Sequence, residues 1–149
     1  MKLTENFWLS EFTKSQTASR LSINNKPTPE HEESLLELCE NVLQPLREMY
    51  GKSIKITSGY RSEALNVVIG GSKSSQHCKG QAADIDTTND NADLFFMIKR
   101  HLDFDQLIYE FGDHRNPDWI HVSYKPKGNR RQVLKATRVN GKTTYIEMA

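Results

Sequence analysis

The sequence has 149 residues, of which 36% are hydrophobic, and its 20 basic and 19 acidic residues give a formal net charge of +1. This length suits one hydrophobic core, so we expect a single domain that spans residues 1–149. The balanced charge excludes the strongly basic surface that proteins use to bind nucleic acid or an anionic membrane. We therefore expect neither partner, and we treat the chain as a monomer.

The start of the chain, Met1-Lys2-Leu3-Thr4-Glu5, lacks the uninterrupted apolar stretch of a secretory signal, and no window approaches the length of a membrane span. We therefore expect the protein to be made in the cytoplasm. Its two cysteines, Cys39 and Cys78, are too few for the disulfide framework of a small secreted domain, so we expect both to be reduced.

The first predicted element is a short helix over residues 7–12, whose aromatic side chains we expect to pack on the core. The clearest helix begins after Thr28, a favourable N-cap residue, with Pro29 at the first helical position. Apolar residues then recur at helical spacing until Gly51, which is typical of a helix C-terminus. This helix therefore covers residues 28–51.

The rest of the chain alternates short β-rich segments with turns and two further helices. Strands are predicted at residues 54–57, 82–85, 106–109 and 119–124, with weaker candidates at 132–137 and 143–146, and helices at about 63–68 and 91–102. The turns are too short for parallel crossover connections. The pattern therefore predicts an α+β fold with a mainly antiparallel sheet and helices packed on it.

Three side chains have the chemistry of a hydrolytic zinc site, which takes three ligands from His, Asp or Glu and leaves one position for water. His77 lies in a polar loop that leads into a strand, Asp84 lies in that strand, and His121 lies in the middle of a later strand. Taken alone, a histidine beside a strand or an aspartate in one is more often structural. Spacing alone therefore leaves a metal site as the less frequent interpretation.

A resemblance changes this weighing. The segment Ser75-Gln76-His77-Cys78-Lys79-Gly80-Gln81-Ala82-Ala83-Asp84 resembles, at each fixed position, the Ser-x-His-x-x-Gly-x-Ala-x-Asp signature of the zinc D-Ala-D-Ala carboxypeptidase family. The segment Asp118-Trp119-Ile120-His121 is similar to its second signature, in which an acidic residue precedes the last ligand by three positions. Ser58-Gly59-Tyr60-Arg61-Ser62 also resembles phage and prophage members, and the resemblance extends from about residue 7 to residue 124.

The resemblance implies the fold shared by D-Ala-D-Ala peptidases and the hedgehog signalling domain, with one zinc ion per chain. His77, Asp84 and His121 would hold this ion. Cys78 is next to a ligand, but consecutive residues of an extended chain point in opposite directions, so we expect it to take no part.

The resemblance also implies roles for three residues around the metal. Asp118 would be the general base that accepts a proton from the attacking water, Arg61 would stabilise charge on the substrate carbonyl oxygen, and Ser75 would contact the substrate. Each residue has a structural alternative: Asp118 as a turn residue, Arg61 as a surface residue that caps its loop, and Ser75 as a loop cap. Glu110 is the alternative base, ranked second because eleven residues separate it from His121.

The function implied is hydrolysis of an amide bond in the stem peptide of bacterial peptidoglycan, by a phage lysis enzyme or a prophage-derived one. Two bonds are candidates, the terminal D-Ala-D-Ala bond and the internal L-Ala-D-Glu bond. Such an enzyme would reach the cell wall after release through a pore or by lysis. The alternatives are a zinc-containing binding module of the same fold without turnover, and a structural phage protein that would not need the three ligands.

Overall fold

The N-terminal segment begins with a small hairpin rather than with the predicted helix over residues 7–12. The computed structural model describes residues 1–148, and its first elements are strands β1 (Lys2–Thr4) and β2 (Phe7–Trp8) and helices α1 (Leu9–Thr13) and α2 (Gln16–Arg20). The Glu11 carboxylate accepts a hydrogen bond from the Trp8 N–H at 2.7 Å, so helix α1 can begin only after Trp8. Phe7 and Phe12 are nevertheless buried in the core, as expected.

The long predicted helix over residues 28–51 is present, with one irregularity. It consists of α3 (Pro29–Leu38), a π-helical turn (Cys39–Leu43) and α4 (Gln44–Tyr50). Thr28 caps its start and Gly51 ends it with a φ of +77°. Pro45 is the second residue of α4, just after the π turn, and because proline has no N–H for the preceding helical turn, the backbone widens there. The sequence analysis missed this turn.

The second half of the chain builds a six-stranded sheet. Its elements are β3 (Lys55–Ser58), α5 (Glu63–Val68), a 3₁₀ helix (Gln76–Lys79), β4 (Ala82–Asp86), α6 (Asn91–His101), β5 (Gln106–Glu110), β6 (Trp119–Ser123), β7 (Gln132–Val139) and β8 (Lys142–Glu147). The strand order is β3-β4-β6-β5-β7-β8, and only the β5–β7 pair among these is parallel. The predicted α+β class with a mainly antiparallel sheet is therefore confirmed.

Strand alternation divides the sheet into two faces of different character. One face packs against α3, α4 and α6 and is apolar; its strand residues Ala83, Ile85, Leu107, Tyr109, Ile120 and Val122 all belong to the main core. Their neighbours along the same strands point to the opposite face.

No helix within residues 1–148 is both long and apolar enough to cross a membrane.

Gly80, which joins the 3₁₀ helix to β4, supports a first prediction because the chain offers a matched control. Its φ is +73°, and a Cβ there would lie 2.5 Å from the carbonyl oxygen of His31 in α3. Gly128 has a similar φ of +76° but nothing within 4 Å of its Cβ position. Gly128→Ala should therefore cost only the left-handed strain, about 1–2 kcal/mol, and Gly80→Ala about 2–5 kcal/mol.

Urea denaturation of both metal-free variants measures these losses of unfolding free energy. Equal losses would show that the contact with His31 adds nothing to the backbone strain.

Candidate metal centre

The polar face of the sheet brings together the three side chains that the sequence singles out as metal ligands. Strands β4 and β6 are antiparallel neighbours, and their register places Asp84 directly opposite His121. The His121 Nδ1 lies 3.0 Å from Asp84 Oδ1, and the His77 Nε2 lies 3.4 Å from the same oxygen. One ligand atom from each residue lies within 4.8 Å of the others.

A backbone carbonyl fixes the orientation of the His77 ring. The His77 Nδ1 lies 2.7 Å from the carbonyl oxygen of Gly59, the residue that follows β3, and donates its hydrogen to that oxygen. The Nε2 therefore carries the lone pair and faces Asp84 and His121. This arrangement, in which one ring nitrogen is held by a carbonyl and the other is left for a metal, is common among histidine ligands.

The donor set fits a zinc ion. Tetrahedral zinc with ligand bonds near 2.0–2.1 Å separates its ligand atoms by about 3.3–3.4 Å, close to the 3.4 Å and 3.0 Å that separate Asp84 Oδ1 from the two imidazole nitrogens. Two imidazoles and one carboxylate leave a fourth position open, as in hydrolytic zinc sites. Within residues 1–148 this is the one group of three or more His, Cys, Asp or Glu side chains with such spacing, so the described chain offers one site.

The protonation states of His77 and Asp84 also suit a metal, which binds neutral imidazole and ionised carboxylate. Burial lowers the pKa of His77, and although Asp84 opposes this shift, the nearby charges of His121 and Arg61 add to it. Burial alone would raise the pKa of Asp84, but the charges and hydrogen bonds of His77 and His121 hold it well below its usual range.

The three side chains open onto a cavity of about 540 Å³. One wall is the loop over residues 70–76 together with Arg61, and the floor consists of outward-facing side chains of β5, β6, β7 and β8. The three ligand side chains therefore share one cavity with these residues.

Arg61 and Ser75 both line this cavity. The Arg61 Nη1 donates a hydrogen bond to Asn66 Oδ1 at 3.1 Å, while its Nε is buried without a hydrogen-bond partner among residues 1–148. Asn66 is fixed in turn, because its amide donates to the Ser72 carbonyl at 2.8 Å. The Ser75 hydroxyl accepts from the His77 N–H at 3.2 Å, so the capping role considered for Ser75 is present in the structure.

The structure does not bring Asp118 into the cavity with the ligands. Asp118 is exposed, immediately precedes β6 and is absent from the cavity lining, and its N–H donates to the Glu110 carbonyl at 2.9 Å. The Asp118 carboxylate is therefore not among the groups that line the cavity, and its role as the general base stays a prediction.

Glu110, the alternative considered from the sequence, lies inside the cavity instead. Strands β5 and β6 form a hairpin whose register pairs Ile108 with His121 and Glu110 with Trp119. The hairpin returns the chain, so Glu110 is only one cross-strand pair away from His121 on the same face. The two predicted strands could have indicated this proximity, because antiparallel pairing of neighbouring strands brings residues that are eleven positions apart in sequence close together.

Glu110 has an unusual titration. Burial raises its pKa to about 7, the negative charge of Asp84 acts in the same direction, and His121 opposes it. Only 8% of the side chain is exposed. A carboxyl group that titrates near neutral pH can both accept and return a proton there.

A family model described as peptidase M15 matches residues 5–123, which is most of the chain and ends with the last residue of β6. No curated protein matches the sequence significantly.

The ligand group predicts one metal ion per chain, removable by a chelator and restored by added zinc. His77→Ala and His121→Ala should each reduce the metal content to a small fraction, because two remaining ligands hold zinc weakly. His114→Ala is the matched control, since His114 is exposed in a loop away from the group. Elemental analysis after dialysis is the measurement, and full metal content in both ligand variants would exclude this site.

The titration of Glu110 predicts a pH-dependent stability of the metal-free protein. The pKa of Glu110 is raised from 4.5 to about 7 in the folded state. The neutral carboxyl therefore contributes fully to the free energy of unfolding below pH 4.5, and this contribution is lost as the pH rises through 7. Glu110→Gln cannot ionise. As the pH rises from about 5 to about 9, the unfolding free energy of this variant relative to that of the wild type should therefore increase by about 2–3 kcal/mol.

Urea denaturation at the two pH values checks this expectation, with the exposed Glu5→Gln as control. A constant difference between Glu110→Gln and wild type would mean that Glu110 titrates as an ordinary glutamate.

Proposed function

The chain belongs to the peptidase M15 family, and from this we propose that it is a zinc metallopeptidase that hydrolyses an amide bond in the stem peptide of bacterial peptidoglycan. The observation that carries the proposal is the joint placement of a three-ligand group and a neutral-titrating carboxyl in one open cavity. A structural zinc site would have its fourth position closed by protein. An open fourth position beside a proton acceptor instead favours hydrolysis.

In this proposal, His77, Asp84 and His121 hold one zinc ion, which supplies Lewis-acid activation when bound. Glu110 is the general base, accepting a proton from the attacking water and delivering it to the leaving amine. Its position one cross-strand pair from His121 and its pKa of about 7 support this role.

Arg61 is assigned to the developing charge on the substrate carbonyl oxygen. Its contact with Asn66 holds the guanidinium at the cavity wall, and its unpartnered Nε is a donor in a buried setting. Such a fixed donor stabilises charge without the reorganisation that water would need. Ser75 is assigned to the substrate-facing wall as well as to the cap of the 3₁₀ helix.

Two bonds of the stem peptide remain candidates, the terminal D-Ala-D-Ala bond and the internal L-Ala-D-Glu bond. The substrate lies outside the cytoplasmic membrane, so we propose that the protein acts as a phage-type endolysin once it has reached the cell wall. A binding module without turnover is the other function considered from the sequence. It would have no use for a buried carboxyl that titrates at neutral pH beside the ligands.

Two charge-removing variants test the assignment of the base. Glu110→Gln should retain zinc and fold but lower turnover by about 10² to 10⁴-fold, the range for a positioned proton acceptor. Asp118→Asn, which alters an exposed carboxylate outside the cavity, should leave turnover nearly unchanged.

The measurement is mass spectrometry of digested peptidoglycan fragments and soluble stem peptides, which also identifies the bond. If Asp118→Asn loses activity and Glu110→Gln does not, the base is Asp118. A zinc-loaded wild-type protein that cleaves no stem peptide would leave the binding module as the function.

A further inference from the structure

Part of the cavity lies beyond the residues that the family model matches. The match ends at residue 123, yet Arg130, Leu134 and Tyr145 also line the cavity. Tyr145 belongs to β8, the edge strand of a hairpin in which β7 and β8 are joined by a two-residue turn at Asn140-Gly141, both with positive φ. This hairpin therefore contributes to the site residues that the family match does not assign.

The sheet register places Tyr145 on the same face as Glu110 and the metal ligands. Glu110 pairs with Ala136 across β5 and β7, and Ala136 pairs with Tyr145 across β7 and β8. The Cα atoms of Glu110 and Tyr145 are thus two strand spacings apart, about 10 Å. Ala136, fully buried between them, is too small to block the approach, so the long Tyr145 side chain can extend over it toward Glu110.

The Tyr145 hydroxyl has no partner within the part of the chain that the structure describes. By contrast, the hydroxyl of Tyr50 donates to the Asp90 carboxylate at 2.6 Å, and the hydroxyl of Tyr109 to the Asp113 carbonyl. Tyr145 is also 55% exposed, although it lines the cavity. A phenol with a spare donor at the open side of a site is available to an incoming ligand.

The electrostatic surroundings agree with this geometry. Burial raises the pKa of Tyr145, and the negative charges of Glu110 and Asp84 raise it further. The hydroxyl is therefore close enough to both carboxylates to sense their charge. It stays protonated at neutral pH and acts as a hydrogen-bond donor.

We propose that Tyr145 is a catalytic residue of this peptidase, whose hydroxyl donates a hydrogen bond to the carbonyl oxygen of the scissile amide as that oxygen becomes negative. The proposal rests on the proposed function. The proton stays on the tyrosine, so no bond to it is broken. Arg61, which follows β3, and Tyr145, on β8, both line the cavity in which the substrate carbonyl would lie.

The test is Tyr145→Phe in the zinc-loaded full chain, assayed on soluble stem peptides. This change removes one oxygen and keeps the ring, so the hairpin packing should be retained. Because the hydrogen bond strengthens as charge develops, kcat should fall by about 10²-fold, at the lower end for one oxyanion donor, with little change in KM. The matched control is Ile146→Ala, at the next residue on β8, which is 54% exposed and outside the cavity lining.

A second measurement follows binding rather than turnover. A phosphinic pseudopeptide, in which a tetrahedral phosphinate replaces the scissile amide, resembles the charged intermediate, whereas the product peptide does not. Tyr145→Phe should weaken phosphinate binding by about the same factor as it lowers kcat/KM and leave product binding unchanged. Zinc content and a thermal melt of each variant establish that the metal site and the fold are retained.

The outcomes separate this inference from the proposed function. A wild-type protein that cleaves stem peptides while Tyr145→Phe retains full kcat and phosphinate affinity would overturn the role of Tyr145 alone. An increase in KM with unchanged kcat would do the same, since it indicates uniform substrate binding. A wild-type protein that cleaves no stem peptide would overturn both.

Discussion

The antiparallel pairing of β4 with β6 is the constraint on which the site depends. It sets Asp84 opposite His121, so that one carboxylate oxygen lies within 3.4 Å of both imidazoles. A slip of either strand by one residue would turn its own ligand to the other face. The buried neighbours Ala83 and Val122 pair in the same register on the opposite face, so the hydrophobic core that stabilises the sheet also specifies the geometry of the metal ligands.

The third ligand depends on a different set of contacts, which connect the N-terminal helices to the site. The carbonyl of Gly59 receives the His77 hydrogen, and a Cβ at Gly59 would lie 2.6 Å from the backbone of Phe12 in α1. The Phe12 carbonyl accepts the N–H of Tyr60 at 2.7 Å. Packing of α1 therefore positions the loop that orients His77. The ligand group combines one pair fixed by sheet register with one residue fixed by close backbone contact.

The sequence could predict features that depend on neighbouring residues, and it could not predict features that depend on contacts between residues far apart in the chain. Local signals determine helix 28–51, the strands and the segment holding His77 and Asp84, and these were predictable. The location of Glu110 depends on which residues a hairpin pairs, so linear distance from His121 was a poor guide. The parallel pairing of β5 with β7 was also not predicted. At the start of this pair, the Arg130 guanidinium donates a hydrogen bond to buried Asp105 at 2.8 Å, and these two residues are 25 positions apart in the sequence.

The two carboxylates of the cavity show how one face can supply two chemical roles. Asp84 lies between two imidazoles, whose charges and hydrogen bonds outweigh its burial and keep it ionised as a ligand must be. Glu110 has burial without comparable partners, so its pKa rises to about 7. Like charge between the two carboxylates widens this separation, because ionised Asp84 disfavours ionised Glu110. A cation held by the ligand group would act in the opposite direction and lower the pKa of Glu110 again, because it favours the ionised carboxylate.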